Sequence, residues 1–475
     1  MNADFSISFT HIVALAVTLS LIIVLGIVSG RNVHSKDDFQ TGGRNAGIIL
    51  VTGAIISSLV GGSSTVGTAE LAYNWGLSAW WFTIGSSLGA VLLGLVYAVP
   101  VRKCHRTTLQ EIVADEYGIT AGILTSILTS IGFLVNVVSQ LLAAKALLTS
   151  ILGVPGLFAV LLAAGIMTCY VIFGGMKSSG LLGLVKLILL YMATLGGGVL
   201  ALHLAGGLEN LTATLDPDTY LNFFARGAGK DLGSCISVTL GILSTQTYAQ
   251  AILSGKDDRT ATWGCLISGM LTLPIGILSI FIGVYMKLHF TSISPGQAFP
   301  LFILTQMPPI LAGIILAGLL IVIVSTGAGM AFGFGTVITT DIYKRFLNKT
   351  AGDRTTLLVE RFIILLVMVF GSALAILNAD SPILNWGFLS MALRAVVLIL
   401  PMTAALFLPG RINAFWATLS SILGLIAMGF CNLVSLRIEP LYVGLLTALL
   451  CFFIGYVVQQ AQRCLNKKET KNTRL

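Results

Sequence analysis

Thirteen apolar runs dominate this sequence, near residues 9–29, 46–73, 78–101, 119–151, 156–173, 179–206, 231–254, 262–290, 310–345, 356–378, 382–408, 412–435 and 440–461. Each is about as long as the roughly 20 residues that cross the hydrocarbon of a bilayer. Inside that hydrocarbon every backbone N–H and C=O must be satisfied by the chain itself, so runs of this length fold as helices. The expected fold class is therefore an all-α polytopic membrane protein with about 13 transmembrane helices. Composition agrees, with 56% hydrophobic and only 10% charged residues, against about 25% charged in soluble domains. No polar linker or low-complexity segment divides the chain, which predicts a single membrane domain over 1–475. The first run has no Lys or Arg before it and no small-residue cleavage site after it, so it is expected to stay as a span.

The cations set the orientation, because loops kept in the cytoplasm hold the excess of Lys and Arg. With the N-terminus outside, the inner loops and the tail 462–475 contain nineteen, among them Arg31, Lys36, Arg44, Arg102, Lys103, Lys177, Lys256, Arg411 and Arg463. The outer loops contain four: Arg226, Lys230, Lys287 and Arg437. The C-terminus is then cytoplasmic, and the bilayer is the expected partner. The net charge of +8 is a topology signal, so no nucleic-acid partner is expected. Seven cysteines show no paired ligand spacing, and His11, His34, His105, His203 and His289 are scattered. Neither a metal site nor an enzyme is expected, since no nucleophile, base and orienting group occur together.

The second run is interrupted at its centre by Gly61-Gly62-Ser63-Ser64. Two glycines lower the cost of unwinding a helix, and backbone freed at membrane depth needs protein or a water-lined cavity around it. Close helix packing through small residues would use the same residue types. The seventh run, 232–250, is interrupted by Gly233, Ser234, Ser237, Gly241, Ser244, Thr245, Gln246 and Tyr248. Two interrupted segments five spans apart match an inverted repeat of five helices, each beginning on a broken helix with a binding site near the bilayer midplane.

Four stretches go further: KDDFQTGGRNAG at 36–47, YVIFGGMKS at 170–178, AQAILSGKDDRTA at 249–261 and VSTGAGMAFGFGTVITTDIYKRF at 324–346. In the last, a Ser-Thr pair is followed after fourteen residues by Asp-Ile-Tyr. On these stretches the chain resembles the sodium/solute symporter family, which includes transporters of proline, pantothenate, galactose and iodide. The resemblance implies the leucine-transporter type of fold, with two five-helix inverted repeats at 46–206 and 231–408. An extra N-terminal helix (9–29) precedes them, and two C-terminal helices (412–461) follow.

The resemblance also implies a Na+ position. Sodium takes oxygen ligands, here carbonyls of the broken helix at Ser57 and Val60, a further carbonyl at Val322, and the hydroxyls of Ser325 and Thr326. Alternatively, those hydroxyls bond back to carbonyls one turn earlier, as Ser and Thr in membrane helices often do. The chain departs from the family where many members carry an Asp and, three residues on, a Gln; here those positions are Gly183 and Lys186. Loss of the Asp favours a single coupling ion. A buried ammonium can hold the place of a monovalent cation, which makes proton coupling the alternative; a lysine snorkelling to water is the bland one.

Lys145 and Arg394 are the other cations inside spans, and Glu70 is the carboxylate well inside one. One Glu cannot neutralise three cations, so at least one is expected to meet an anion from outside. Arg394 suits a carboxylate, because a guanidinium makes two parallel charge-assisted bonds. The expected substrate-binding set is Gly62, Ser63, Ser64, Gln140, Lys145, Gln246, Tyr248 and Arg394, with Lys186 and Glu70 as coupling groups. The expected function is cation-coupled symport of a small organic solute in the cell membrane of a bacterium or archaeon. A membrane sensor is the rival from another class, and the short tail 462–475 argues against it. Oligomeric state is not set by the sequence.

Overall fold

The computed structural model describes residues 8–30, 44–434 and 438–472, with side chains described except at 22–30, 172–182, 184 and 464–472. Residues 36–43 of the first family stretch, Arg31, Arg437 and the side chain of Lys177 lie outside what is described. All regular elements among the described residues are helical, and one isolated parallel bridge joins Ala46 to Gly255.

Helix α1 (Phe9–Gly30) is followed by α2 (Ile48–Leu59), which stops abruptly. The chain resumes through a π-helical turn (Ser63–Gly67) as α3 (Thr68–Trp75). Next, α4 (Trp81–Leu92) runs through another π-helical turn into α5 (Ala98–Lys103). The short α6 (Leu109–Tyr117) opens on a capping box, in which the Thr108 hydroxyl accepts from Glu111 N and the Glu111 carboxylate accepts from Thr108 N. Then come α7 (Ile119–Leu152), α8 (Gly156–Tyr191), α9 (Gly197–Leu204) and α10 (Gly207–Thr214). A second interrupted pair follows, α11 (Ala228–Leu243) and α12 (Gln246–Ser254). The remainder is α13 (Asp258–His289), α14 (Ala298–Gln306), α15 (Pro309–Val337, prolonged by π-helical turns to Leu347), α16 (Asp353–Leu377), α17 (Ile383–Phe407), α18 (Ala414–Leu433) and α19 (Pro440–Asn472).

Nine helices among the described residues are long and apolar enough to cross a membrane. Of the other four apolar runs, two belong to α1 and α8, whose side chains are described only in part, and two are interrupted, where α2 stops at Leu59 and where α11 gives way to α12. Met167 and Lys186, nineteen residues apart, both lie against the 325–327 segment of α15. Thr326 bonds Lys186, and a side chain added at Gly327 would meet Met167 at 2.7 Å. A straight helix would separate them by about 28 Å, so the chain passes this level twice.

Helix α15 sits at the centre, with 78% of its most apolar stretch buried, against 28% for α19. Packed around it are α7, α8, α2 and α1, while α18 and α19 pack mainly on each other. The starts and ends of the interrupted helices are tied at one face of the molecule, where Ala46 N donates to Ser254 O at 2.9 Å and Lys256 N to Ala46 O at 3.0 Å. Beside that bridge Asp257 caps α13 by accepting from Thr260 N at 2.6 Å, which holds its carboxyl below the usual carboxylate range.

Candidate functional site

The first break is fixed by what its glycines touch. Val60 is extended (φ −99, ψ 107), so α2 cannot continue into α3. A Cβ on Gly61 would lie 2.7 Å from Thr326 Cγ2, and one on Gly62 would lie 2.3 Å from Ala143 Cβ. Only a residue without a side chain lets this turn pass between α7 and α15. The freed backbone groups find partners, as buried polar groups must: Gly62 N donates to Gln140 Oε1 at 2.8 Å, Thr65 Oγ1 to Gly61 O at 3.0 Å, and Ser64 Oγ to Leu59 O at 3.2 Å. Gln140 also donates through Nε2 to Ser63 Oγ, which pairs with Ser139 Oγ at 2.9 Å. Gly62→Ala is expected to cost about 1–3 kcal/mol by overpacking, read as a lowered thermal midpoint of the purified protein. An unchanged midpoint would mean that α7 can move aside.

Below the break, carbonyls converge on one hydroxyl. Thr326 Oγ1 lies 2.9 Å from Val322 O, 3.1 Å from Ser57 O and 3.2 Å from Val60 O. A hydroxyl has one proton and can serve only one of these at a time. The oxygen-rich cage therefore calls for a further donor or a cation. Lys186 supplies one: its Nζ donates to Ser57 O and, at 2.7 Å, to Thr326 Oγ1. The side chain is buried, 2% exposed, and ends in this cage instead of in water. Ser325 Oγ donates back to Val322 O at 3.2 Å, within its own helix. Four of the five expected cation ligands thus meet at the Thr326 hydroxyl, two of them (Ser57 O and Thr326 Oγ1) accept from Lys186 Nζ, and the Ser325 hydroxyl is engaged locally.

Gly183, one turn before Lys186, packs against α2 so closely that an added Cβ would lie 2.2 Å from Gly53 O. There is no room for the carboxylate that many symporters carry at this position. The close approach also carries α8 up to the cage.

At the second break Ser244 (φ −100, ψ 12) and Thr245 (φ −105, ψ 121) leave the helical region. The guanidinium of Arg394 lies here, fully buried. It donates to Thr245 Oγ1 at 2.7 Å, to Ser390 Oγ at 2.8 Å and to Ser390 O at 3.1 Å, and stands 5.0 Å from the centre of the Phe133 ring. Met330 and Met391 sulfurs complete its surroundings. All these partners are neutral. A buried guanidinium without a carboxylate is costly unless something else supplies charge.

Other expected residues are placed elsewhere. Tyr248 Oη donates to Ser58 O at 3.3 Å and so links the two interrupted helices. Gln246 is turned away, donating to Thr107 O and accepting from Leu109 N. Glu70 and Lys145 lie toward the opposite end from the Ala46–Gly255 bridge. Glu70 Oε2 accepts from Ile383 N at 2.8 Å, and Lys145 Nζ donates to Ala379 O at 2.6 Å, so both hold the start of α17. Asn136, which accepts from Gln140 Nε2 at 3.5 Å, Ser139, Ser390 and Phe133 join the breaks without having been singled out in the sequence, whereas Thr245 was among the residues that marked the second interruption. Ser390 sits one helical turn before Arg394, and that i−4 spacing was the available signal.

The model of the Sodium:solute symporter family matches residues 39–424. The sodium/pantothenate symporter of Escherichia coli is 24% identical, with 93% of this chain and 96% of that protein covered. The human high affinity choline transporter 1 is 23% identical over 87% of this chain and 75% of that protein. Among solved structures, a Na+-coupled sialic acid symporter in a substrate-bound outward-open state superposes with a TM-score of 0.81 at 17% identity, covering 96% of this chain and 98% of that one. A nucleobase-cation-symport-1 family transporter in a closed conformation gives 0.59 at 12% identity, covering 90% and 95%. The all-helical fold is that of these leucine-transporter-like proteins.

Proposed function

The chain belongs to the Sodium:solute symporter family, and we propose that it is a secondary active transporter moving a small organic solute by alternating access, coupled to a monovalent cation. It is an integral membrane protein, and we place it in the cell membrane of a bacterium or archaeon. The observation behind the coupling is the cage of Ser57, Val60 and Val322 carbonyls around Thr326 Oγ1, with the Lys186 amine bonded to two of its oxygens. Sodium is the coupling ion that the named relatives support. The solute is one with a carboxylate, held at the breaks by Arg394 with Gly62, Ser63, Ser64 and Gln140 around it. The interrupted helices at 60–62 and 244–245 support the two repeats at 46–206 and 231–408.

A second mechanism is favoured by one specific contact, the ammonium of Lys186 in the cage. There the amine's proton takes the place of sodium, and no free ion is needed. Uptake of carboxylate-bearing solutes into proteoliposomes, driven by a sodium gradient or by a proton gradient alone, separates the two. Failure of every such solute under both gradients would overturn the assignment of a carboxylate-bearing substrate.

If the cage holds the ion, removing both hydroxyls in Ser325→Ala/Thr326→Ala should raise the sodium concentration for half-maximal uptake. One lost oxygen ligand bonded to a charged group is worth about 1.5–3 kcal/mol, or roughly ten- to hundredfold. Unchanged sodium dependence would remove the site.

A further inference from the structure

A second polar site lies at the cation-rich face, well apart from the breaks. A cavity of about 220 Å3 is lined there by Arg44, Arg102, Lys103, His105, Leu253 and Asp258. This is below the roughly 300–1,000 Å3 of sites that enclose a whole drug-sized ligand, and suits a headgroup. Three cations face one carboxylate, and that carboxylate is already engaged, since Arg102 Nε donates to Asp258 Oδ1 at 2.8 Å. Arg102 is also fixed by its Nη1, which donates to Ile252 O at 2.8 Å and Gly255 O at 2.7 Å at the end of α12. Arg44 and Lys103 are exposed. Among the described residues that line it, the wall thus carries an excess of positive charge, on one rigid and two movable arms.

The backbone around this cavity is also unusual. Arg44 (φ 56) and His105 (φ 52) are the non-glycine residues with positive φ among the described residues, and both line this one cavity. Left-handed backbone costs such residues about 1–2 kcal/mol each, and it turns both segments toward the same space. Strain of this kind persists where the surroundings over-determine it, commonly at ligand sites.

We propose that this cavity binds the phosphate of an anionic phospholipid headgroup. Phosphate suits guanidinium forks and ammonium point charges together, and basic cavities at the cytoplasmic ends of membrane helices hold such headgroups. The lipid source is favoured over a soluble phosphate because the helix that ends in Arg102 and Lys103 exposes Leu92, Leu95 and Val96 just before them, and α13 exposes Trp263 just beyond Asp258. Acyl chains would lie along that apolar surface. The bound headgroup would bridge the segment before α2, the end of α5 and the start of α13, all close to the Ala46–Gly255 bridge.

The test titrates the purified full-length protein with dioctanoyl phosphatidylglycerol, with dioctanoyl phosphatidylcholine and inorganic phosphate as parallel arms, read by native mass spectrometry. Phosphatidylglycerol is expected to bind and the zwitterionic lipid not to. Arg44→Gln/Lys103→Gln, which alters two exposed side chains and leaves the structural Arg102, should weaken binding by roughly thirtyfold, at a factor of about five per cation. Severalfold higher salt should weaken wild-type binding in the same direction. Equal binding by wild type and variant, equal binding of the two lipids, or inorganic phosphate binding as tightly as the anionic lipid would each overturn the assignment.

Discussion

Lys186→Gln is expected to raise the affinity for sodium by more than about a hundredfold. Two unit charges about 5 Å apart repel by roughly 3 kcal/mol at an effective dielectric of about 20, and each 1.4 kcal/mol is about tenfold. In this protein the Lys186 amine sits on Ser57 O and Thr326 Oγ1, so a sodium ion there competes with it for the same oxygens and, with the amine protonated, against its charge. Gln removes the charge while its amide N–H can still donate to one of those oxygens, which keeps the cage filled in the absence of the ion. The measurement is a sodium titration of the solute-free protein, followed through the ion's stabilisation of the native state against heat. The wild type should be stabilised weakly and the variant strongly. Superimposable sodium curves would show that Lys186 is remote from the ion. Wild-type uptake on a proton gradient alone, lost in Lys186→Gln, would assign coupling to the amine.

Arg394→Lys should weaken binding of a carboxylate-bearing solute by about ten- to hundredfold. The charge is kept, but the planar fork and one of its charge-assisted bonds are lost, and such a bond is worth about 1.5–3 kcal/mol. The effect on folding is expected to be smaller, because the partners of Arg394 in the protein are Thr245 and Ser390 oxygens and the face of Phe133, all of which accept an ammonium too. Direct binding of the solute identified by the uptake panel, measured calorimetrically on both proteins, checks it. A neutral analogue of that solute should bind the two proteins alike. Wild-type affinity in the Lys variant would assign Arg394 to structure alone.

Much was legible in the residues before any coordinates. The apolar runs, the asymmetric cations and the four family stretches were enough for an all-helical membrane protein of the symporter family, because helix formation in hydrocarbon is dictated by local composition and length. Gly61-Gly62 with the serines after it marked the first break as a candidate, although close helix packing uses the same residue types, and the extended Val60 distinguishes the two. Lys186 stood out as a departure from the family pattern. What the sequence left open was direction: which way each buried polar side chain turns depends on neighbours far along the chain. Gln246 and Tyr248, two residues apart on one short helix, diverge to Thr107 and Ser58 respectively. Lys145 and Arg394 looked alike as cations within spans, yet the first reaches Ala379 O near a helix end and the second is enclosed among neutral groups. Likewise Ser325 and Thr326 are adjacent, but a helical turn of about 100° per residue leaves one hydroxyl on its own helix and points the other at α2 and Lys186. The sequence by itself thus determined the class of molecule, and its family resemblance named four of the groups that meet at the Thr326 hydroxyl. Only the packing of α2, α8 and α15 decided that these carbonyls focus on Thr326 Oγ1 and that the Lys186 amine reaches them, because oxygens from separate helices acquire a common focus only when those helices meet.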